Sequence, residues 1–256
     1  MSSLPAIITP AILSSLRSHP TLPGHTWYLI AATTLSQLNR PDEIPKVYQH
    51  ALRHGPGDAA PTQDEKLRIS RRMREALIKA AAVGGWWLIP PQTINALLEL
   101  KKATPEELLD EHEGFSPTGR RLDIYETPAP QIMQRGQVFF ERLYGKITKR
   151  VMGQMDRSGT EDLGLVARLV YGYVLSNTNV LSAAETSFVM IAGLIPQDVN
   201  PQLKGHLRGA LNGGATVEQV QAVRNVVVDI CSAAGMKMLD ANSPAGFGWR
   251  NEVADL

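Results

Sequence analysis

Four side chains in the second half of this 256-residue chain have the chemistry of an acid–base or anion-binding site: Arg135, Glu185, His206 and Arg208. His206 lies in the stretch "QLKGHLRGALNGG", and an imidazole with an ordinary pKa of about 6.5 can move a proton at neutral pH. Arginine side chains offer the paired N–H donors that bind a carboxylate. Side chains of these types could transfer a proton at His206 and hold a carboxylate at an arginine. A core histidine and arginines that face solvent or pair with helices explain the same pattern.

Other chemistry-bearing residues have simpler explanations. Glu185 stands three residues after Ser182, which is the spacing of a capping box at a helix start. His50 and His54 are one helical turn apart, as metal ligands are, but no third ligand is evident nearby. We therefore predict no metal site. The single cysteine, Cys231, lies in the run "VVVDICSAAGM" and is expected to be a small buried apolar residue.

The composition excludes several classes of protein. The 26 Lys and Arg residues nearly balance the 25 Asp and Glu residues, so no charge pattern indicates binding to nucleic acid. No apolar run has the roughly 18 residues of a membrane span. The last three residues, "ADL", differ from the peroxisomal "SKL" signal, and the first 41 residues contain no acid, as in a mitochondrial presequence. These features predict a cytoplasmic protein, with mitochondria as the alternative.

The elements that would position these residues are helical. Apolar residues recur with the helical period along nearly all of the chain, and strand-like alternation is rare. Capping-box patterns begin at Thr104, Ser182 and Thr216, and Asn212-Gly213-Gly214 supplies a helix stop. The fold class is predicted to be all-α, with helices at 7–18, 26–38, 42–54, 64–83, 91–102, 105–112, 129–143, 161–176, 183–195, 200–212 and 217–234.

The chain divides into two halves that resemble each other. The polar stretch 112–130, "HEGFSPTGRRLDIYETPAP", interrupts the helical pattern and is predicted to be a linker. Each half contains an apolar helix, a short turn, a second helix and a long third helix, in the same order. We therefore predict an internal duplication with repeats at 1–111 and 131–256.

The second half resembles a known family. The stretches that carry the resemblance are "RGQVFFERLYG" (135–145), "YGYVL" (171–175), "LSAAETSFVMIAGL" (181–194), "QLKGHLRGALNGGATVEQVQAV" (202–223) and "SAAGM" (232–236). In this order they are similar to the carboxymuconolactone decarboxylase family, which includes the alkylhydroperoxidase D proteins. The first half resembles a degenerate copy. The resemblance implies two tandem helical repeats in one pseudo-symmetric domain, with no cofactor.

The residues at the family's active positions favour one branch over the other. The peroxidase branch uses a glutamate and a pair of cysteines, and Ser187, Val199 and Gln202 stand at those positions here. Without a thiolate, peroxidase chemistry is not expected. The decarboxylase branch also lacks the cysteines and keeps the histidine, although an arginine common in that branch is absent near Thr186.

The resemblance therefore implies a cofactor-free lyase that acts on a small carboxylated lactone or a related acid. His206 would protonate the carbon that loses CO2, and Arg135 or Arg208 would hold the carboxylate. The alternative is a non-catalytic paralogue that serves as a binding or structural helical oligomer.

The assembly prediction comes from the apolar helix at 183–195. This helix is apolar on nearly all sides, so it must be covered from several directions. Members of the resembling family with a single repeat associate through this region. We therefore predict a homo-oligomer, a dimer or a trimer, with pockets near the interface between the repeats.

Overall fold

The structure is a computed structural model that describes residues 4–53, 59–84, 91–112, 114–240 and 246–256. The α-helices of this part of the chain are α1 (Pro10–Arg17), α2 (Trp27–Gln37), α3 (Ile44–Arg53), α4 (Gln63–Ala80), α5 (Pro91–Ala103), α6 (Arg120–Tyr125), α7 (Ala129–Tyr144), α8 (Thr148–Asp156), α9 (Asp162–Val170), α10 (Ala183–Leu194), α11 (Asn200–Asn212) and α12 (Val217–Ala233). A π-helix, Tyr171–Leu175, continues α9. The strands of the described residues, β1 (Lys237–Met238) and β2 (Gly248–Trp249), form one short parallel pair. The all-α prediction is confirmed.

The helix ends follow the capping signals with one exception. Ser182 and Thr216 both form capping boxes, with Glu185 and Gln219 respectively. The prediction at Thr104 is wrong, because its hydroxyl donates to the carbonyl of Leu100 and only a short 3₁₀ turn, Glu106–Leu108, follows. Helices α6 and α8 were not predicted.

Two helices, α2 and α10, form the centre of the core. Their residues are buried from Trp27 to Ser36 and from Thr186 to Leu194. Helix α2 packs against α4, α10 and α12, and α10 packs against α2, α4, α11 and α12. The apolar surface of α10, which was predicted to be covered partly by a second subunit, is therefore covered by helices of the same chain. Each large apolar side chain buried here contributes about 1.5–3 kcal/mol to stability.

Close packing between α7 and α11 positions the region around His206. A Cβ atom on Gly209 would lie 2.1 Å from the Leu143 side chain, and one on Gly205 would lie 2.9 Å from the Tyr144 ring. Glycine at these two positions lets the end of α7 lie directly on the backbone of α11. A 3₁₀ turn, Gly145–Ile147, then redirects the chain from α7 into α8.

The stretch 112–130, predicted to be a linker, contains α6 and contacts both halves of the chain. Arg120 at the start of α6 forms an ion pair with Glu75 of α4, at 2.5 Å. Asp123, later in α6, forms an ion pair with Arg135 of α7, at 2.7 Å. Among the described residues, none of the helices combines the length and apolarity needed to span a membrane.

Candidate functional site

A groove between α8 and α11 is the candidate site. It encloses about 700 Å³, and its wall includes the last residues of α7 and the turn that follows. We call it the α8–α11 groove. Its apolar side is formed by Leu143, Tyr144, Ile147, Val151, Pro201 and Leu256. Its polar side chains are Arg150, Gln154, Gln202, Lys204, Arg208 and Asp255. The volume lies in the range of about 300–1,000 Å³ that is typical of small-molecule sites.

Three cations on two facing helices give the groove its charge. Lys204 and Arg208 are four residues apart on α11, so they lie on the same face of that helix. Arg150 lies on α8. No ion pair or hydrogen bond joins these three side chains to any other residue that the structure describes. The carboxylate of Asp255, in the lining of the groove, lies 4.0 Å from the guanidinium of Arg224, which does not line the groove. The groove thus presents three cations, without an ion-pair partner among the described residues, beside an apolar wall.

An aromatic layer separates the groove from His206. The Tyr144 ring lines the groove, and its hydroxyl lies 3.2 Å from the hydroxyl of Tyr171. Burial raises the pKa of both phenols, that of Tyr171 well above its ordinary value. The Tyr144 ring also meets the His206 ring edge to face, with the ring centres 6.1 Å apart. His206 is not among the residues that line the groove.

His206 itself is a buried, neutral imidazole. Only 5% of the residue is exposed, and its Nδ1 atom has no hydrogen-bond partner among the described residues. Burial lowers the pKa of His206 to about 4, because a charged ring would lose its hydration without gaining a partner. At neutral pH the ring is therefore uncharged. Arg208, two residues along α11, points into the groove on another face of the helix.

Arg135 binds within the protein. Its guanidinium donates two hydrogen bonds to the carboxylate of Asp123, one to the hydroxyl of Ser176 and one to the carbonyl of Gly172. The hydrogen bonds from Arg135 hold the pKa of Asp123 below its ordinary value. The guanidinium of Arg135, which was predicted to bind a substrate carboxylate, therefore binds the carboxylate of Asp123 instead.

Glu185 also has an internal partner. Its carboxylate accepts hydrogen bonds from the backbone N–H of Ser182 and, at 2.5 Å, from the guanidinium of Arg72 on α4. Arg72 in turn donates to the hydroxyl of Tyr28. Burial opposes the charged form of Glu185, but the contacts with Arg72 and Ser182 together outweigh it, and the pKa of Glu185 lies below its ordinary value. Of the four predicted site residues, His206 and Arg208 lie on the same helix, α11. Arg135 and Glu185 each belong to a different ion pair, with Asp123 and Arg72 respectively.

A buried lysine was missed by the sequence reasoning. Lys79 of α4 is fully buried, and its ammonium donates to the carbonyls of Leu175 and Asn177 and to the hydroxyl of Thr186. Burial lowers its pKa to about 8. One feature of the sequence could have indicated its burial. In the run "EALIKAAAV" (75–83), every residue other than Glu75 and Lys79 is apolar.

Lys79 belongs to a set of five charged residues around the π-helix, which we call the π-helix cluster: Glu75, Lys79, Arg120, Asp123 and Arg135. Arg135 donates to the carbonyl of Gly172, Arg120 to those of Tyr173 and Val174, and Lys79 to that of Leu175. Four successive carbonyls of the π-helix are thereby satisfied by cations. Glu75 and Asp123 supply the opposing charge.

The remaining predictions about reactive groups can be placed briefly. Cys231 is buried, as predicted, and burial raises its pKa to about 12, so it is a poor nucleophile. His50 packs edge to face on Trp27, and His54 lies outside the described residues. No group of three potential metal ligands occurs in the part of the chain that the structure describes.

Two curated relatives resemble most of the chain. Peroxisomal protein 2 of Schizosaccharomyces pombe is 37% identical over 211 residues, which are 82% of this chain and 87% of that protein. Peroxisomal protein 2 of Saccharomyces cerevisiae is 31% identical over 264 residues, covering 85% of this chain and 91% of that protein. The chain belongs to the peroxisomal protein 2 family. No family model matches the chain, and no solved structure matches it.

Membership of the peroxisomal protein 2 family corrects two predictions. The relatives are named as peroxisomal proteins, so the predicted cytoplasmic or mitochondrial location is wrong. The predicted lyase activity on a carboxylated lactone, with its alternative of a non-catalytic alkylhydroperoxidase D paralogue, is also wrong on this finding. The reason is the same in both cases. Both predictions were drawn from short motifs, whereas the peroxisomal protein 2 relatives match more than four fifths of the chain.

Proposed function

We propose that this chain is a peroxisomal protein that binds a small organic anion in the α8–α11 groove. The names of its two relatives support the location. The observation that supports the binding site is the presence of three cations, on α8 and α11, that have no anionic partner among the described residues. The buried or half-buried arginines Arg72, Arg120 and Arg135, in contrast, have carboxylate partners.

The shape of the groove supports an organic ligand. An inorganic anion would contact only the polar side, because Leu143, Ile147 and Val151 offer it no hydrogen bond. A molecule with an anionic head and an apolar body would contact both sides and release water from the apolar wall. In this proposal Arg208 binds the anionic head, and His206 supports the Tyr144 ring from behind. Arg135 and Glu185 hold the fold together through Asp123 and Arg72.

We also propose that the two halves are copies of one helical repeat, of the kind that the resemblance to the carboxymuconolactone decarboxylase family implies. Helices α2 and α10 begin at Trp27 and Ala183, which are 156 positions apart. Helices α3 and α11 begin at residues 44 and 200, again 156 apart. Helices α4 and α12 begin at residues 63 and 217, which are 154 apart, and both follow a threonine capping box. Nearly equal spacing of three successive helices supports a duplication.

Self-association is the last part of the proposal. Leu163, Leu165 and Leu169 of α9 are each about half exposed, and Leu165 and Leu169 lie one helical turn apart on the same face. A second copy of the chain is the partner that we propose for this surface. Light scattering of the purified protein should then give at least twice the chain mass of 28.0 kDa, and a monomer at micromolar concentration would refute it.

Location is tested by imaging. The full chain with a fluorescent protein fused at its N-terminus should co-localise with a peroxisomal marker in yeast cells. A diffuse signal throughout the cytoplasm, with the marker confined to peroxisomes, would overturn the location.

The groove is tested by titration calorimetry of the full chain with octanoate and with octyl phosphate. At least one of the two should bind, and Arg208→Gln should weaken that binding tenfold or more. Arg53→Gln, which removes an exposed arginine of α3 far from the groove in sequence, is the matched control and should bind as the native chain does. Absence of binding by both compounds, or equal binding by Arg208→Gln, would overturn the groove assignment.

A further inference from the structure

We infer that the ligand of the α8–α11 groove carries a dianionic phosphate-type head and an apolar tail. This inference rests on the proposed function and narrows its ligand class. The lining of the groove contains the cations Arg150, Lys204 and Arg208, and its carboxylate side chain is that of Asp255, next to Leu256. A phosphate monoester offers these three cations three acceptor oxygens and a charge of about −1.5 to −2 at pH 7.

The arrangement of the cations favours a tetrahedral head over a planar one. Arg150 approaches from α8, while Lys204 and Arg208 approach from α11 on the opposite wall. A carboxylate offers two oxygens in one plane, which suits a single guanidinium fork. A phosphate monoester offers three acceptor oxygens that point in different directions. It can therefore accept hydrogen bonds from both walls at once.

Neutral donors and the apolar wall complete the match. The amides of Gln154 and Gln202 lie in the same lining and can donate to phosphate oxygens without adding charge. The apolar wall runs from Leu143 through Ile147 to Val151, and a groove of about 700 Å³ leaves space beyond a single phosphate group for an organic tail. The groove is thus divided into a cationic part and an apolar part, as an amphiphilic phosphate requires.

Three probes separate the contributions of the head and the tail. Octyl phosphate has both features, octanoate has the same tail with a single charge, and inorganic phosphate has the charge without a tail. The full chain is titrated by calorimetry at pH 8, with each amphiphile kept below its critical micelle concentration. Octyl phosphate should bind at least tenfold more tightly than octanoate or inorganic phosphate. At this pH the phosphate ester is fully ionised, since its second pKa is about 6.

A pair of neighbouring variants tests where the head binds. Arg150→Gln removes a groove cation, whereas Lys149→Gln removes the same charge from the adjacent residue of α8, which does not line the groove. Arg150→Gln should weaken octyl phosphate binding at least tenfold and octanoate binding less than threefold. Lys149→Gln should leave both affinities within twofold of the native values.

The outcomes distinguish this inference from the proposed function. Equal affinity for octanoate and octyl phosphate would overturn the dianionic head while leaving the groove as an organic-anion site. Equal affinity for inorganic phosphate and octyl phosphate would overturn the apolar tail. Equal effects of Arg150→Gln and Lys149→Gln would overturn the placement of the head. Failure of both organic probes to bind would overturn the proposed function as well.

Discussion

The α8–α11 groove and the π-helix cluster contain the same kinds of side chain in opposite environments. In the groove, Arg150, Lys204 and Arg208 are exposed and have no charged partner among the described residues. In the cluster, three cations meet two carboxylates, and Glu75 and Lys79 are almost completely buried. The cluster cations also satisfy the carbonyls of the π-helix.

The difference shows which charges hold the fold and which are available to a ligand. A buried charge that loses its partner destabilises a protein strongly, because its desolvation is no longer compensated. An exposed charge that is removed has little effect on stability. The cluster should therefore respond to mutation through the free energy of unfolding, and the groove through binding.

The largest effect is expected from Glu75→Gln. This change leaves Arg120 and the buried ammonium of Lys79 without the carboxylate that faces both of them. The free energy of unfolding should fall by about 3–5 kcal/mol, measured by urea denaturation at pH 7. Glu99→Gln, which removes the partner of Lys102 in an exposed pair, should cost less than about 1 kcal/mol. Similar losses in the two variants would contradict the contrast between buried and exposed pairs.

His206 lies between these two extremes, since it is buried but has no partner. Its pKa is lowered from 6.5 to about 4 in the folded chain, so the unfolded chain binds more protons between these values. Its contribution to stability is complete above pH 6.5 and is lost as the pH falls toward 4, by roughly 3 kcal/mol in all.

Denaturation at pH 7 and pH 4.5 measures this contribution. His206→Gln should reduce the fall in unfolding free energy between the two pH values, because glutamine does not titrate. His112→Gln, at an exposed position, should leave the fall unchanged. If His206→Gln had the same pH dependence as the native chain, the imidazole of His206 would be hydrated in the folded protein.

A smaller effect is expected from Gly205→Ala. The new methyl group would lie 2.9 Å from the Tyr144 ring, and overpacking of this kind costs about 1–3 kcal/mol. The displaced ring should also narrow the groove and weaken octyl phosphate binding. Gly24→Ala, where a Cβ atom meets nothing within 4 Å, is the control for the unfolding free energy and for binding. A Gly205→Ala variant with native affinity would show that the Tyr144 ring does not form the groove wall.

The smallest effect on stability is expected within the groove itself. Lys204→Gln removes an exposed cation that has no partner among the described residues. The free energy of unfolding should therefore change by less than about 0.5 kcal/mol, as measured by urea denaturation. A loss comparable to that of Glu75→Gln would mean that Lys204 is part of the fold.

Local signals in the sequence were sufficient for most of the helices. The capping boxes at Ser182 and Thr216 mark helix starts that the structure confirms, because the donors and acceptors lie within three residues of each other. Helix α6 was missed because six residues are too few to show a period. Helix α8 was missed because Gly153 and several polar residues weaken its apolar pattern.

The site depended on contacts between distant parts of the chain. Arg135 was interpreted as an anion-binding residue, and its partner Asp123 stood in a stretch that was interpreted as a linker. Lys79 donates to groups about 100 residues further along the chain, which no local pattern can indicate. The sequence could indicate that Arg208 is exposed. The groove itself exists only because the fold places α8 opposite α11.

The π-helix also fixes the length of the chain at that point. A π-helical turn contains one residue more than the α-helical turn it replaces. Deletion of a single residue from 171 to 175 would let this turn return to α-helical spacing, and the rest of the helix would keep its register because the extra residue is confined to the turn. The deletion would, however, remove one of the four successive carbonyls to which Arg135, Arg120 and Lys79 donate. The loss of a residue here would therefore leave one of these cations short of an acceptor.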